Sequence, residues 1–189
     1  MAGIHPEPTG ASTENALSLS WIFGFSRDVQ LHNLCDENRQ AIFYVSAHTG
    51  IIYDLNSKTQ KLLQGHCNSI SCTCATADRR LVATADRGAD SMLVLWDSYT
   101  ATPLKTFAAP HPSGVRTMDI SPDGKHLVTL SASTCPQILS VWDCSRGGSD
   151  TPLYSAQVTT ATGAEAEVQT SLRLDPSDPS AVVTNGASI

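Results

Sequence analysis

Short apolar runs alternate with polar turns at a regular interval along the chain. Three of these runs end in an aromatic residue followed by Asp: GIIYDL over residues 50–55, MLVLWD over 92–97 and ILSVWD over 138–143. Their aromatic residues, Tyr53, Trp96 and Trp142, are 43 and 46 residues apart. Apolar runs of about four to eight residues bounded by turn-forming residues are typical of β-strands. The pattern therefore predicts a repeated unit of short strands.

Each unit contains four such runs. In the second unit they are ISCTCA, LVATA, MLVLWD and PLKTF, and in the third VRTMDI, LVTLS, ILSVWD and PLYSA. Four strands in a period near 43 residues are typical of the blade of a WD-type β-propeller. We predict an all-β fold, a WD40-type propeller fragment of about three and a half blades. Since a closed propeller has about four to eight blades, we expect the missing blades to come from outside this sequence.

The repeat also divides the chain into segments. We predict, in chain order, a flexible lead-in over 1–16, a strand that could close the ring over 17–28, blade 1 over 29–65, blade 2 over 66–109, blade 3 over 110–160, and the first strands of a truncated fourth blade over 161–189.

Blade 2 carries the Gly-His and Trp-Asp pairs that mark a WD repeat. Members of the WD family link such residues in a hydrogen-bonded network, because a buried indole N–H or imidazole without a partner is costly. By this resemblance the network residues are His66, Thr84, Asp90 and Trp96 in blade 2, with His111 and Trp142 in blade 3. The resemblance puts Asp90 in the turn after the second strand, and Pro136 stands at the corresponding place in blade 3.

The candidate chemical groups favour structural roles. Asp54, Asp97 and Asp143 recur at one place in every unit, which indicates hydrogen bonds at turns and strand ends. The sequence has no Gly-rich phosphate loop, zinc-protease His-Glu-x-x-His motif, nucleophile elbow or calcium-binding loop. We expect no catalytic residue, no cofactor and no small-molecule substrate.

The stretch QGHCNSISCTC, residues 64–74, combines His66 with three of the six cysteines. A zinc site would need four converging ligands, and the sequence has no second paired set of cysteines to supply them. Cys72 and Cys74 are two residues apart on a predicted strand and so share one face of the sheet. We expect packed thiols here and no metal site, with Cys67 the one reactive thiol of the three.

The composition of the chain argues against two classes of partner, nucleic acids and membranes. A formal charge of −6 with only 12 Lys and Arg argues against nucleic acid, since binding to phosphates needs clustered cations. The sequence starts with no signal peptide, and it has no apolar run near the roughly 18 residues of a membrane helix. We expect a soluble cytoplasmic protein that binds neither nucleic acid nor membrane and keeps its cysteines reduced.

The strings LSLSWIFGF, FYVSAHTGIIYDL and LQGH, together with ATAD and VLWDS, resemble the N-terminal propeller of the family of cilia- and flagella-associated protein 251, also called WD repeat-containing protein 66. The likeness spans about residues 17–143 and fades in the last quarter. It implies a non-catalytic scaffold of the axoneme, in the cytoskeleton of motile cilia and flagella. The resemblance further implies that the protein is a subunit of the calmodulin- and spoke-associated complex at the base of radial spoke 3. In that complex it would support the regulation of dynein-driven motility. The implied partners are other axonemal proteins, with doublet microtubules contacted indirectly.

Two alternatives stay open. The echinoderm microtubule-associated-protein-like family has a similar blade and shares the patterns of GVRTMDISPDGKHL and ILSVWD, and such a protein would bind tubulin directly. SAHTGIIYDL and LSLSWIFGF favour the axonemal interpretation. The other alternative is a propeller that serves as substrate receptor of a ubiquitin ligase, although the sequence has no ligase-docking helical motif.

Overall fold

The structure is a computed structural model that describes residues 18–134, 136–145, 147–159, 167–178 and 181–186. These residues form fourteen β-strands and no helix. Three antiparallel sheets have four strands each and one has two, which confirms the predicted all-β, WD-type propeller fragment. The predicted lead-in over residues 1–16 lies outside the described residues, and the predicted segment limits stay predictions.

Each sheet follows the chain from its inner strand outward. Blade 1 contains β1 (His32–Asn33), β2 (Ala41–Ser46), β3 (Thr49–Asp54) and β4 (Thr59–Leu63); blade 2 contains β5 (Ile70–Ala75), β6 (Leu81–Asp86), β7 (Met92–Asp97) and β8 (Pro103–Ala108); blade 3 contains β9 (Val115–Ile120), β10 (His126–Ser131), β11 (Ile138–Asp143) and β12 (Tyr154–Gln157); the fourth sheet contains β13 (Gln169–Leu174) and β14 (Val182–Gly186).

The core lies between the blades, because a strand with apolar residues on both faces must bury both. One apolar cluster joins blades 1 and 2 around Phe43, Leu63 and Trp96. A second joins blades 2 and 3 around Phe107 and Trp142, whose ring centroids are 5.1 Å apart. Trp96 and Trp142 thus each pack against the preceding blade.

Long cationic side chains also tie neighbouring blades together at the lower face, which we define as the end of the blades with the turns 36–39, 76–80 and 97–101. Arg39 of blade 1 donates from Nη1 to the Ser98 carbonyl (2.7 Å), and from Nη2 to Ser98 Oγ (2.8 Å) and the Arg79 carbonyl (2.9 Å). Its guanidinium lies 3.8 Å from the centre of the Tyr99 ring. Tyr99 in turn donates its hydroxyl to Asp36 of blade 1.

A lysine on the outer strand of one blade caps a turn of the next blade, and the contact occurs twice. Lys61 of β4 donates to the Tyr99 carbonyl in blade 2. Lys105 of β8 donates to the carbonyls of Asp143 (2.9 Å), Ser145 (3.3 Å) and Ser149 (3.2 Å) in blade 3. Capping a row of carbonyl oxygens with one ammonium group satisfies acceptors that the turn itself leaves free. Blade contacts therefore combine an apolar centre with charged hydrogen bonds at one end.

The strand predicted over residues 17–28 is absent from its described part, residues 18–28. Residues 18–30 make no strand. This segment lies on the outer face of blade 1, where Trp21 meets Tyr53 edge-on with centroids 6.2 Å apart. Gln60 holds it through its side chain, accepting from the Ile22 amide (2.9 Å) and donating to the Ile22 carbonyl (3.0 Å). The apolar residues of this segment are largely exposed, with Phe23 88% and Phe25 66% accessible, and no strand of the described residues pairs with it.

Gly114, in the loop before β9, lies against the backbone of blade 2. Its φ is +82°, a conformation that residues with a Cβ avoid, and a Cβ there would lie 2.5 Å from Arg87 Cα and 2.7 Å from the Asp86 carbonyl oxygen. Gly24 has a similar φ of +87° but open space around it.

Substituting these two glycines distinguishes backbone strain from close contact between blades. Gly24→Ala is expected to lower the free energy of unfolding by about 1–2 kcal/mol, because only the left-handed φ is strained. Gly114→Ala is expected to cost at least about 3 kcal/mol, since the backbone of blade 2 must also move. Urea unfolding followed by tryptophan fluorescence measures both. Equal losses for the two variants would contradict the close contact.

Candidate functional site

The predicted network residues of blade 2 meet around one hydroxyl group. Trp96 Nε1 donates to Thr84 Oγ1 (2.8 Å), and the same oxygen lies 2.7 Å from His66 Nε2. His66 Nδ1 lies 3.1 Å from Asp86 Oδ2. All donors and acceptors match when Nδ1 carries the proton of a neutral imidazole and Thr84 donates to Nε2. Burial lowers the pKa of His66 and outweighs the opposing effect of Asp86, which agrees with the neutral form.

Asp86 joins three parts of the blade. The residue is fully buried, and its Oδ1 accepts the Met92 amide (2.6 Å) at the start of β7. Its Oδ2 accepts the Asn68 amide (3.4 Å) in the loop before β5, besides contacting His66. One carboxylate therefore connects the inner loop, the end of β6 and the start of β7.

The prediction that Asp90 belongs to this network is wrong. Asp90 is exposed, has a φ of +56° and makes no hydrogen bond with the described residues. The register explains why: β5 and β6 pair Ile70 with Asp86, so the last residue of β6 faces the His66 loop. The turn beyond Asp86 touches the same loop through the Ala89 carbonyl, which accepts from the Asn68 side chain (2.8 Å), while Asp90 itself is exposed to solvent.

Blade 3 has the same arrangement with one part changed. Trp142 Nε1 donates to Thr129 Oγ1 (2.8 Å), which lies 2.8 Å from His111 Nε2. Ser131 occupies the position of Asp86, since Val115 pairs with Ser131 as Ile70 pairs with Asp86. The Ser131 hydroxyl accepts the Ile138 amide (2.9 Å), so it keeps one function of the missing carboxylate. The counterpart of the network acid in blade 3 is therefore Ser131 and not Pro136.

Sequence reasoning missed Asp86, Thr129 and Ser131. A signal for Thr129 was present: Thr84 and Thr129 both occupy the fourth position of a second strand and both lie 18 residues after the histidine that they contact. Blade 1 lacks this network. At the corresponding positions it has Tyr44 and Tyr53, and the Tyr44 hydroxyl accepts from Gln60 (3.0 Å).

The recurring acids form turns. Oδ1 of Asp54 accepts the amides of Asn56 (2.9 Å) and Ser57 (2.8 Å). Oδ1 of Asp97 accepts the amides two and three residues further on, both at 2.9 Å, and Oδ1 of Asp143 accepts the Ser145 amide (2.8 Å). Hydrogen bonds to these carboxylates lower the pKa of Asp54 and of Asp143.

The cysteines of ISCTCA face blade 3. Cys72 and Cys74 contribute to the cluster between blades 2 and 3, on the face opposite Thr73. Burial raises the pKa of Cys72 to about 12 and that of Cys74 well above its usual range, so both remain protonated thiols. Cys67 is exposed in the loop. Among the described residues, no three His, Cys, Asp or Glu side chains are grouped so that they could hold a metal ion.

Two cavities lie at the surface of the described residues, one beside blade 1 and one among the inner strands. An apolar groove of about 430 Å³ lies between residues 21–25 and the outer face of blade 1, and Phe23 beside it is 88% exposed. A smaller polar cavity of about 220 Å³ lies among the inner strands β5, β9 and β13. The described residues include no helix of the length and hydrophobicity that a bilayer crossing requires.

Substitution of the two acids distinguishes the structural network from the one predicted from sequence. Asp86→Asn is expected to lower the free energy of unfolding by about 2–3 kcal/mol, because an amide N–H then faces the His66 Nδ1–H. Asp90→Asn is expected to change it by less than about 0.5 kcal/mol, since Asn adopts positive φ readily. Urea titrations of both variants decide the matter. A larger loss for Asp90→Asn would restore the sequence-based network.

The His111 network makes stability depend on pH. Burial lowers the pKa of His111 to about 4, whereas an unfolded histidine has a pKa near 6.5. Below pH ~6.5 the unfolded chain binds a proton that the folded chain excludes, so stability falls as the pH drops from about 6.5 to about 4 and then levels off for this group. The loss from His111 alone is about 3 kcal/mol.

Urea unfolding at several pH values measures this slope. His111→Gln keeps a hydrogen-bonding group without the titration, so the variant is expected to show a shallower slope over the same pH range. His66, whose pKa is lowered too, accounts for part of the remaining slope. An unchanged slope in His111→Gln would show that the histidine titrates normally in the folded protein.

Comparison with known proteins gives consistent results. Residues 17–189 match the family model for the CFAP251 N-terminal domain. Cilia- and flagella-associated protein 251 of Tetrahymena thermophila is 49% identical over 135 residues, which cover 68% of this chain and 14% of that protein. The protein of the same name from Chlamydomonas reinhardtii is 40% identical over 190 residues, covering 93% of this chain and 23% of that protein.

A solved structure shares the fold. Hydrazine synthase of Kuenenia stuttgartiensis superposes with a TM-score of 0.57 at 16% identity, over 72% of this chain and 38% of that chain. At this identity the likeness concerns the fold alone. The chain spans less than a quarter of the length of the two curated relatives described above. The family match covers nearly the whole chain, and the protein belongs to the cilia- and flagella-associated protein 251 family.

Proposed function

We propose that this protein is a non-catalytic scaffold of the axoneme in motile cilia and flagella. In this proposal it acts in the calmodulin- and spoke-associated complex at the base of radial spoke 3 and supports the regulation of dynein-driven motility. The observation that carries the proposal is the family match over residues 17–189, since the relatives are named for association with cilia and flagella.

The internal chemistry of the blades supports a non-catalytic function. The groups that resemble catalytic ones are used to hold strands together: His66 and Thr84 bond to each other, and Asp86 bonds to the imidazole and to two backbone amides. The buried thiol of Cys72 has a pKa raised to about 12 and is a poor nucleophile. A rigid array of blades is suited to presenting surfaces to partners.

The proposed partners are other axonemal proteins of the spoke base and of the same complex. A formal charge of −6 disfavours direct attachment to the acidic surface of microtubules. The doublet microtubule is therefore contacted through those partners. In this proposal the protein lies in the cytoskeleton of the cilium and has no role for nucleic acid, membrane or a small-molecule substrate.

Co-fractionation tests the proposal. The tagged protein is expressed in ciliated cells, and axonemes are extracted with detergent and moderate salt. The protein is expected to remain with doublets from normal cells and to be lost from mutants that lack the base of radial spoke 3. Asp86→Asn is expected to reduce retention because it weakens a blade, whereas Asp90→Asn, its matched control, is expected to be retained normally.

Other outcomes would contradict the proposal. Saturable binding to purified tubulin without other axonemal proteins would favour a protein that binds microtubules directly. Recovery with a ubiquitin-ligase adaptor from cells without cilia would favour a substrate receptor. Retention on doublets that lack the spoke base would indicate that the protein binds at another site in the axoneme.

A further inference from the structure

The polar cavity among the inner strands has an arginine without a partner. Arg116 of β9 lines this cavity, and its Nε is buried without a hydrogen bond. No hydrogen bond or ion pair links the Arg116 side chain to another residue in the described part of the chain. A buried N–H without an acceptor is unfavourable, and a guanidinium without any acceptor favours an anion that can reach its other nitrogens.

A second arginine stands beside it. Arg87 donates from Nη2 to the Arg116 carbonyl (3.5 Å) and from Nε to the Val115 carbonyl (3.4 Å). These contacts hold the Arg87 guanidinium near β9, yet the described residues offer it no carboxylate partner. Arg87 does not line the cavity itself, but its unpaired positive charge next to β9 favours an anion nearby.

The remaining charges around the cavity largely cancel. Arg173 is paired with Asp119 (3.4 Å), which also accepts the Leu174 amide (2.9 Å). Asp28 is the other carboxylate at the cavity; it is exposed and makes no ion pair with a described residue. The unpaired charges are thus Arg116 and Asp28 at the cavity and Arg87 beside β9, which leaves one positive charge in excess on a protein that is acidic overall.

We infer that this cavity binds a carboxylate side chain from an acidic segment of a partner protein. An arginine guanidinium binds a carboxylate through two parallel hydrogen bonds, and clustered arginines are a recurrent way to recognise acidic peptides. Thr117 and Ser171 also line the cavity, and neither hydroxyl is bonded within the described residues. The inference rests on the proposed function, because it specifies the chemistry by which the scaffold holds one of its partners.

A labelled peptide tests the site directly. The probe is a short fluorescein-labelled peptide of alternating Gly and Glu, titrated with the full protein and followed by fluorescence anisotropy. Binding is expected to weaken with salt, and a Gly-Gln peptide of the same length is expected to bind at least about tenfold more weakly.

Three variants are expected to change the affinity for the Gly-Glu peptide in different ways. Arg116→Gln is expected to weaken binding of the Gly-Glu peptide at least about tenfold, while Asp28→Asn is expected to strengthen it a few-fold by removing the competing acid. Arg80→Gln is the matched control, because its side chain is 68% exposed at the lower face, and it is expected to leave the affinity unchanged. Urea midpoints of all three verify that folding is intact, and Arg116→Lys retains the charge if Arg116→Gln is unstable.

Three outcomes of the peptide titrations would overturn the inference. Equal binding of the Gly-Gln peptide, or equal loss of affinity in Arg80→Gln and Arg116→Gln, would show that the cavity is not the site. An Arg116-dependent preference for a phosphoserine peptide over the Gly-Glu peptide would assign the site to phosphate. A failure of the proposed function can be told apart from a failure of this inference, because a protein that does not co-fractionate with doublets could still bind the peptide.

Discussion

The structure depends on a threonine hydroxyl placed between two ring nitrogens. A tryptophan that packs against the preceding blade must bury its indole N–H, and the acceptor has to come from inside its own sheet. Thr84 provides that acceptor for Trp96 and uses its own proton on His66, which fixes the loop before the inner strand. The hydroxyl therefore couples two events: closing the blade and packing it on its neighbour.

Charged side chains repeat this coupling at the other end of the blades. Lys61 and Lys105 each extend from an outer strand to carbonyl oxygens in the next blade, and Arg39 spans the first blade contact as well. In an array with contacts only between neighbours, each interface contributes to the stability of the blades on both sides. Tyr154 occupies the corresponding position of blade 3, opposite Val141, and is 62% exposed where Lys61 and Lys105 are bonded.

The sequence was sufficient to predict the blades, because their strands follow from local alternation and a period near 43 residues. It was also sufficient to bring His66, Thr84 and Trp96 together by resemblance. It could not decide between Asp86 and Asp90, since both are acids near the same turn and only the pairing of Ile70 with Asp86 shows which one faces the imidazole. The segment around Trp21 failed for a similar reason, because an apolar alternation does not reveal whether a neighbouring strand is present. The contacts of Arg39 and Lys105 depend on where the next blade lies, which local patterns do not specify.

Each blade is held by its neighbours as well as by its own strands. Hydrogen exchange measured by mass spectrometry on a Lys105→Met variant tests this dependence, with Lys125→Met as the control because Lys125 is 71% exposed and bonds within its own turn. Exchange is expected to rise in the blade 3 turn after Trp142, where no residue has been changed, and to stay unaltered in the control. An increase confined to β8 in blade 2 would show that the blade 3 turn does not depend on this contact.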